Sequence, residues 1–283
     1  MEPFELAVPT ELDEALTQLA ADGAVALAGG TATVLMLKQN LLAPRRVVYL
    51  GRIAALRPIR ETQDGGLRLG ATATLAELVR SELVRQRYPV LAETANQIGN
   101  PRVRAVATVG GNLLHADPNQ DLPPLLLTLG ATLEVATAQG VRRQQLEPAF
   151  FTDYMQTALE PGALVTAVFL PPPLPGFRAA YRKFTPRSHD DFATVGVAAA
   201  VVRDAQGRVT EARVALSGVG PTPVWVPEAA QLIGEKPGSR EIAGVAEAAS
   251  RRADPWDDLR GSAEYKRAMA RVWTRRVLEE VLR

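Results

Sequence analysis

Residues 24–40 read AVALAGGTATVLMLKQN and contain the turn on which the fold depends. The run 24–28 is short and apolar, which is typical of a buried strand. Two glycines follow it, and the residues from Thr31 onward have a helical pattern. Pro44 ends this connection, and the apolar run 46–50 predicts another strand. A strand, a glycine turn, a helix and a second strand in this order predict a βαβ-like unit at the N-terminus.

Gly29 and Gly30 indicate a possible site for an anion. Glycines between a strand and a helix let backbone N–H groups approach an anion closely, and a helix N-terminus favours negative charge. Thr31 adds a hydroxyl donor. The same pair is also typical of a tight turn with a positive φ angle. Both interpretations remain open for this loop when it is taken alone.

Residues 108–112, TVGGN, repeat these ingredients. Thr108 provides a hydroxyl group, Gly110 and Gly111 provide two backbone units without side chains, and Asn112 provides an amide. Two such loops in one domain predict a single diphosphate group held between two backbone cradles.

Asp121 has two possible roles. It ends the segment HADPNQD and precedes Leu122-Pro123-Pro124, which predicts a helix start with Asp121 as the N-cap. A carboxylate near a dinucleotide site also commonly accepts hydrogen bonds from ribose or ribityl hydroxyls. The local pattern favours capping, and the two roles are compatible.

The other charged candidates give weaker signals. Lys183 lies in a mixed charge run, and its ammonium group is of the kind that stabilises a reduced ring or a phosphate, although such runs are usually solvated surface. His115 and His189 have no partner at the spacing of a nucleophile and its base, so we expect neither to be catalytic. No tight cluster of Asp, Glu and His predicts a metal site.

The composition excludes several classes of protein. None of the 283 residues is cysteine, which excludes disulfides, thiolate catalysis and cysteine-ligated iron–sulfur clusters on this chain. A balance of 32 Lys and Arg against 31 Asp and Glu lacks the basic character of a nucleic-acid-binding domain. No apolar run is long enough to span a membrane, and we expect a cytoplasmic protein. Redox chemistry here would require a bound organic cofactor.

The chain divides near residue 175, where the proline-rich run PPPLP (171–175) predicts a stiff linker. Before it, runs at 75–84 and 90–97 predict helices, and 131–136 predicts a strand. After it, 193–203 and 209–218 predict antiparallel strands, and 264–282 predicts an amphipathic helix. We therefore predict a first domain over 1–175, with lobes of about 1–55 and 56–175, and a second domain over 176–283.

Taken together, these segments resemble one family: the FAD-binding medium subunits of the molybdenum hydroxylases, which include carbon monoxide dehydrogenase and xanthine dehydrogenase. The first domain carries the resemblance in AGGTA at 28–32, IGNPRVRAVATVGGNLLHADPNQDLPPLLLTLGA at 98–131 and FFTDYMQTALEPGALVTAVFLP at 150–171. The second domain carries it in YRKFTPRSHDDFATVGVAAAVV at 181–202, LSGVGPTP at 216–223 and GSAEYKRAMARVWTRR at 261–276. Any one of these segments is weak, but their order and spacing are specific.

The resemblance implies an α+β fold. A two-lobed FAD-binding domain, with a βαβ-like N-terminal lobe and a mixed-sheet lobe, would precede a smaller domain with an antiparallel sheet and helices. It also implies that two loops form the main FAD contacts: Val25, Ala26, Leu27, Ala28, Gly29, Gly30, Thr31 and Ala32 in the first, and Thr108, Val109, Gly110, Gly111 and Asn112 in the second.

Four single positions complete the FAD site that the resemblance implies. Ile98 would lie near the adenine, Asp121 near the ribityl chain or ring, Val165 beside the flavin and Lys183 near the isoalloxazine. Ala32 departs from the family, whose members often have Ser, Asp or Glu there, so one side-chain hydrogen bond is expected to be missing. The resemblance implies no catalytic side chain, because the flavin carries the chemistry.

The resemblance also implies partners. Electrons would arrive from iron–sulfur clusters on a small subunit and pass through FAD to an external acceptor, while the substrate is oxidised at a molybdenum cofactor on a large subunit. The complex would be a dimer of heterotrimers. The alternatives are a stand-alone flavin- or nucleotide-binding protein and an independent flavin oxidase. The oxidase is disfavoured because no residue set offers a substrate base and neither glycine loop contains His or Cys for covalent flavin attachment.

Overall fold

The N-terminal lobe is a small parallel sheet with two helices. The computed structural model describes residues 2–188, 190–234 and 236–283, so His189 lies outside the described residues. The strands pair in the order β1-β3-β2, all parallel. Their bounds, with the connecting helices, are β1 Glu5–Ala7, α1 Leu12–Leu19, β2 Ala24–Leu27, α2 Thr33–Lys38 and β3 Arg46–Tyr49. The predicted strand, glycine turn, helix and strand are confirmed.

The second lobe is a five-stranded sheet covered by six short helices. The strand order is β4-β5-β10-β6-β7. The strands are β4 Ile59–Glu61, β5 Leu67–Gly70, β6 Thr132–Thr137, β7 Gly140–Gln145 and β10 Leu164–Leu170, with a separate hairpin of β8 Phe151–Asp153 and β9 Gln156–Thr157. The helices are α3 Leu75–Arg80, α4 Glu82–Arg87, α5 Pro89–Asn96, α6 Pro101–Arg104, α7 Val109–His115 and α8 Leu122–Thr128.

Two details of this lobe differ from the sequence predictions. The sheet was expected to be mixed, but each described strand pair in it is antiparallel. Two hairpins, β4–β5 and β6–β7, impose that direction, and β10 runs between them antiparallel to both. The predicted helix 75–84 is two helices, because Ser81 has an extended backbone and its hydroxyl accepts from the Val84 N–H, which caps α4.

The C-terminal part is an antiparallel sheet with two long helices on one face. Its strands pair in the order β11-β12-β13-β14. The bounds are β11 Phe177–Phe184, β12 Val195–Arg203, β13 Val209–Ser217, β14 Val224–Trp225, α9 Ser239–Arg252 and α10 Ala263–Val281. The predicted hairpin and C-terminal helix are confirmed, as is the α+β fold class.

This C-terminal sheet is buried on both faces. One face packs on α10, which in turn packs on α9, and the other face contacts α5 and α8 of the second lobe. Strand β12 reads VGVAAAVVR, and eight of its nine residues are buried, as expected for a strand covered on both sides. Tyr181, Ala198 and Ala215 therefore belong to the same apolar cluster as the core of the second lobe.

Two further observations concern the described residues. None of their helices combines the length and apolar character that crossing a membrane requires. Nor do they bring three or more His, Asp or Glu side chains together in an arrangement that would hold a metal ion.

Candidate functional site

A cleft of about 480 Å³ lies where the N-terminal lobe meets the second lobe. Its volume is within the usual range for sites that bind organic ligands and cofactors. The glycine turn after β2 forms one wall, and α7 with the start of β10 forms the other. Twelve of the seventeen site residues predicted from the sequence line it: Val25, Ala26, Ala28, Gly29, Gly30, Thr31, Ala32, Thr108, Gly110, Gly111, Asn112 and Val165.

The first glycine loop presents a run of unused hydrogen-bond donors. In the described part of the chain, none of five consecutive backbone N–H groups donates to another protein atom: those of Gly29, Gly30, Thr31, Ala32 and Thr33. They precede or open α2, whose N-terminus favours negative charge. Free N–H groups at a helix N-terminus that opens onto a cleft are suited to bind an anion such as a diphosphate.

The two glycines of this loop meet different requirements. Gly30 has φ of +71°, in the left-handed region that glycine adopts without cost. A Cβ on Gly29 would collide with the carbonyl oxygen of Val106. The first loop is therefore pressed directly against the chain that leads into α7, which brings the two predicted loops together.

The second glycine pair does not form a second backbone cradle. Its N–H groups bond within the protein: Val109 N–H donates to Ala73 O at 2.9 Å, Gly110 N–H to Ala71 O at 2.8 Å, and Gly111 N–H to the Thr108 hydroxyl at 3.1 Å. The prediction of two N–H cradles is therefore wrong for this loop, because the backbone before α3 and the Thr108 hydroxyl already accept these N–H groups.

Close packing explains Gly110. A Cβ there would lie 2.9 Å from both the Cβ and the carbonyl oxygen of Ala71, so α7 could not approach the end of β5. Gly111 faces the cleft, where an added Cβ would meet only the Thr108 hydroxyl at 2.8 Å. Because Gly110 has no side chain, α7 can pack against the end of β5. Because Gly111 has none, the space beside it in the cleft stays free.

Asn112 supplies a polar group with no partner. Its side-chain amide N–H donates to Gln120 Oε1, whereas its Oδ1 is buried without a hydrogen bond among the described residues. Asn112 is 8% exposed and lines the cleft. An unpaired buried acceptor costs free energy, so this atom fits a bound molecule that brings a hydroxyl or N–H donor.

These two observations test whether FAD suits the site. The five free N–H groups match the anionic diphosphate, and the unpaired acceptor of Asn112 matches a ribityl, ribose or ring donor. The lining beside them is largely apolar, with Met36, Leu50, Leu159 and Leu164. The residues present therefore fit FAD.

Five predicted site residues are not among the residues that line this cleft: Leu27, Ile98, Val109, Asp121 and Lys183. Val109 is fully buried in the core under α7, and Ile98 is 8% exposed. The side chains of Lys183 and Asp121 are 4% and 3% exposed, and their charged atoms are 3.2 Å apart.

Asp121 does not cap its helix, so that prediction is wrong. The Asp121 side chain makes no capping hydrogen bond. An N-cap oxygen accepts from the N–H of the second or third helical residue, and in α8 those residues are Pro123 and Pro124, which have no N–H. The carboxylate instead accepts from Tyr181 Oη at 2.5 Å and from Lys183 Nζ at 3.2 Å.

Burial shifts the pKa values of two side chains in this cluster, Asp121 and Tyr181. Burial raises the pKa of the Asp121 carboxyl, and the Lys183 ammonium and Tyr181 hydroxyl oppose that shift. Burial and the neighbouring Asp121 carboxylate raise the pKa of Tyr181 well above its ordinary value, which keeps its hydroxyl protonated and donating.

Sequence reasoning missed several lining residues. His115 lies on the cleft wall, and burial lowers the pKa of its imidazole. A helical signal could have found it, because Thr108, Gly111, Asn112 and His115 recur at the spacing of one helix face. Gln120 and Met155 carried no comparable signal, because their loops reach the cleft only through the tertiary fold.

Comparisons with known proteins agree on one family. A family model described as the FAD binding domain in molybdopterin dehydrogenase matches residues 2–173, and one described as the CO dehydrogenase flavoprotein C-terminal domain matches residues 179–281. The chain is 36% identical over 272 residues to the carbon monoxide dehydrogenase medium chain of Afipia carboxidovorans, covering 93% of this chain and 90% of that protein.

Two further relatives cover almost the whole chain. Subunit alpha of the 6-hydroxypseudooxynicotine dehydrogenase complex of Paenarthrobacter nicotinovorans is 34% identical over 282 residues, covering 99% of this chain and 94% of that protein. Among solved structures, a chain of carbon monoxide dehydrogenase from Hydrogenophaga pseudoflava superposes with a TM-score of 0.93 at 33% identity, covering 99% of this chain and 98% of that chain.

Proposed function

This chain belongs to the family of FAD-binding flavoprotein subunits of molybdenum hydroxylases, and from that membership we propose that it relays electrons inside a multi-subunit dehydrogenase. It is an oxidoreductase subunit whose cofactor is FAD. The run of five unbonded N–H groups from Gly29 to Thr33 is the observation that carries the proposal, because it provides an anion site at the family's FAD-binding domain.

Different residues of the cleft would contact different parts of FAD. The loop around Gly29 and Gly30 would bind the diphosphate through backbone N–H groups, and Asn112 Oδ1 would accept from a hydroxyl or ring donor. The missing side chain at Gly111 leaves room on the wall, and Val165 contributes apolar surface from β10. We propose the twelve lining residues named above as the cofactor-binding set.

FAD, when bound, supplies both one-electron and two-electron transfer. This chain's residues bind and orient it and need not move protons. His115 is the one titratable side chain among the described lining residues. Since burial lowers the pKa of His115, its imidazole is neutral at pH 7. The described side chains that line the cleft therefore carry no net charge.

We propose that the partners are a small subunit with iron–sulfur clusters and a large subunit with the molybdenum cofactor, assembled as a dimer of heterotrimers in the cytoplasm. The relatives are named as a medium chain and as a subunit of a complex, which supports an assembly. Their names refer to different substrates, carbon monoxide and 6-hydroxypseudooxynicotine, which is consistent with substrate choice on another chain. The stand-alone flavoprotein and the independent oxidase are not favoured.

The test is the composition of the complex purified under mild conditions from the cells that make it. We expect one FAD per chain, with iron and molybdenum in fixed ratio to it, and flavin bleaching when a substrate of the molybdenum subunit is added. A yellow chain that carries neither metal and oxidises a small molecule alone would identify the independent oxidase instead. The same chain without FAD, after reconstitution with excess FAD has been attempted, would contradict the proposal.

A further inference from the structure

One buried cluster of polar and charged side chains joins the C-terminal sheet to the second lobe. Tyr181 and Lys183 are two residues apart on β11, so their side chains lie on the same face of the sheet. Both reach Asp121 of the second lobe: Tyr181 Oη donates to Oδ1 at 2.5 Å and Lys183 Nζ donates to Oδ2 at 3.2 Å. Lys183 Nζ also donates to the carbonyl oxygen of Gln97 at 3.0 Å.

Gly196 makes this arrangement possible. It lies opposite Lys183 in the pairing of β11 with β12. A Cβ at Gly196 would overlap the Tyr181 hydroxyl and the Ser217 hydroxyl. The Tyr181 hydroxyl therefore occupies space that only a glycine at position 196 leaves free. The contact between Tyr181 and Asp121 thus depends on this glycine.

The cluster fixes residues 118–121, a segment that leads directly to the cleft. Its two ends are fixed by the C-terminal domain, because Gly218 N–H donates to Pro118 O at 2.8 Å and Tyr181 and Lys183 hold Asp121. Between those ends Gln120 lines the cleft and accepts from the Asn112 amide N–H. That bond turns the amide so that Oδ1 is the atom left without a partner.

We propose that Lys183 and Tyr181 are positioning residues for the cofactor: they act through Asp121 and Gln120 to orient the Asn112 amide. The inference rests on the proposed function, since it needs FAD in the cleft. No residue of the C-terminal domain is among the described lining residues, and this domain acts on the cleft through residues 118–121.

The second contact of Lys183 supports the same role. Gln97 lies in the segment between α5 and α6. One ammonium group therefore holds two separate segments of the second lobe, one before α6 and one before α8. A buried cation shared between two segments fixes their relative position, which is what a preorganised cofactor site requires.

A double-mutant cycle on the full chain tests the proposal. The variants are Asn112→Ala, the neutral pair Asp121→Asn with Lys183→Met, and their combination. The neutral pair is used because removing Lys183 alone leaves an uncompensated buried carboxylate. The readout is the FAD dissociation constant of the apo chain, measured by quenching of flavin fluorescence, with the circular dichroism spectrum as the check of folding.

The expected result is coupling between the sites. Asn112→Ala should weaken FAD binding by about tenfold in the wild type, the loss of one hydrogen bond. In the neutral-pair background the same change should cost less than about threefold, because the amide is no longer held. Arg182→Met is the matched control: it changes the adjacent residue of β11, whose side chain pairs with Glu280, and it should keep the wild-type affinity and the full Asn112 effect.

Other outcomes would overturn the proposal in distinguishable ways. An equal Asn112→Ala effect in both backgrounds would show that the cluster does not position the amide. Tyr181→Phe keeps the ion pair and should give intermediate coupling. If neither Tyr181→Phe nor the neutral pair reaches the wild-type fold, the cluster is a folding element and the positioning role is wrong. A wild-type chain that binds no FAD would instead contradict the proposed function.

Discussion

At the scale of the residue, Gly29 and Gly30 are neighbours with different reasons to be glycine. The left-handed φ of Gly30 could be expected from a strand-to-helix turn. The requirement at Gly29 could not, because it comes from the carbonyl of Val106, a residue distant in the sequence. The local sequence pattern therefore predicted the turn at Gly30, whereas the close contact between Gly29 and Val106 depends on the tertiary fold.

Asp121 shows a different kind of error. The capping prediction took Pro123 and Pro124 as the signal of a helix start, although the same prolines remove the N–H groups that a cap needs. That part was predictable. The true partners, Tyr181 and Lys183, lie in the next domain, and no local pattern relates them to Asp121.

His115 makes a prediction about pH. Burial lowers the pKa of its imidazole from the ordinary value of 6.5, and the Asp117 carboxylate opposes this. The folded protein therefore binds the proton less readily than the unfolded chain, so stability falls as the pH drops through about 6.5 toward the folded pKa. The slope cannot exceed about 1.4 kcal/mol per pH unit, the value for one proton.

The measurement is urea unfolding of the wild type and His115→Gln between pH 7.5 and 5.0, a range of about two and a half units around the ordinary histidine pKa. The variant should lose less stability than the wild type as the pH falls. His189 is present in both proteins, so its contribution cancels in the difference. Two parallel stability curves would contradict the assignment of a neutral, half-buried imidazole.

At the scale of the element, α7 is where sequence reasoning identified the residues but misread their role. TVGGN was interpreted as a loop with free donors, yet Thr108 caps a helix and Gly111 donates to its hydroxyl. The signature of a Thr N-cap followed by a periodic face was in the sequence. Two consecutive glycines, which are poor helix formers, concealed it.

The position of Gly111 on this helix makes a prediction about the cofactor. Gly111→Val places a branched side chain in the cleft, where the glycine Cβ position meets only the Thr108 hydroxyl. We expect FAD affinity to fall by about a hundredfold or more, the equivalent of roughly 2.7 kcal/mol. FAD retained after gel filtration of the reconstituted chain gives the measurement.

Gly244→Val is the control for this experiment. Gly244 also lies inside a helix, on the exposed face of α9, and the nearest neighbour of an added Cβ would be Gln231 Oε1 at 3.9 Å. Its replacement by valine should leave FAD content unchanged. Equal FAD retention by both variants would mean that the cofactor does not occupy the wall formed by α7.

At the scale of the whole molecule, the order of lobes and domains was predicted from short segments, because each has its own apolar pattern and turn residues. The domain boundary near residue 175 stays a prediction. The contacts between the domains could not be predicted. Gly218 reaches Pro118 and Tyr154 reaches Trp256, and pairs so distant in the sequence are brought together only by the packing of the C-terminal sheet on the second lobe.

The contact between Tyr154 and Trp256 carries the last prediction. Their rings meet edge to face, with centroids 6.0 Å apart, and join the β8–β9 hairpin to the C-terminal domain. Met155, the next residue of that hairpin, lines the cleft and has a positive φ of 54°. An aromatic pair of this kind contributes about 0.5–1.5 kcal/mol, and its loss should loosen the turn that Met155 occupies.

Trp256→Ala should therefore raise the FAD dissociation rate by about three- to tenfold, the change that this free energy allows. Stopped-flow fluorescence after dilution of the loaded chain would measure it. Tyr154→Phe keeps the ring contact and loses a hydroxyl that makes no hydrogen bond within the described residues, so its rate should match the wild type. If Trp256→Ala releases FAD at the wild-type rate, the C-terminal domain influences the cleft only through residues 118–121, because the hairpin then holds Met155 in place without the tryptophan.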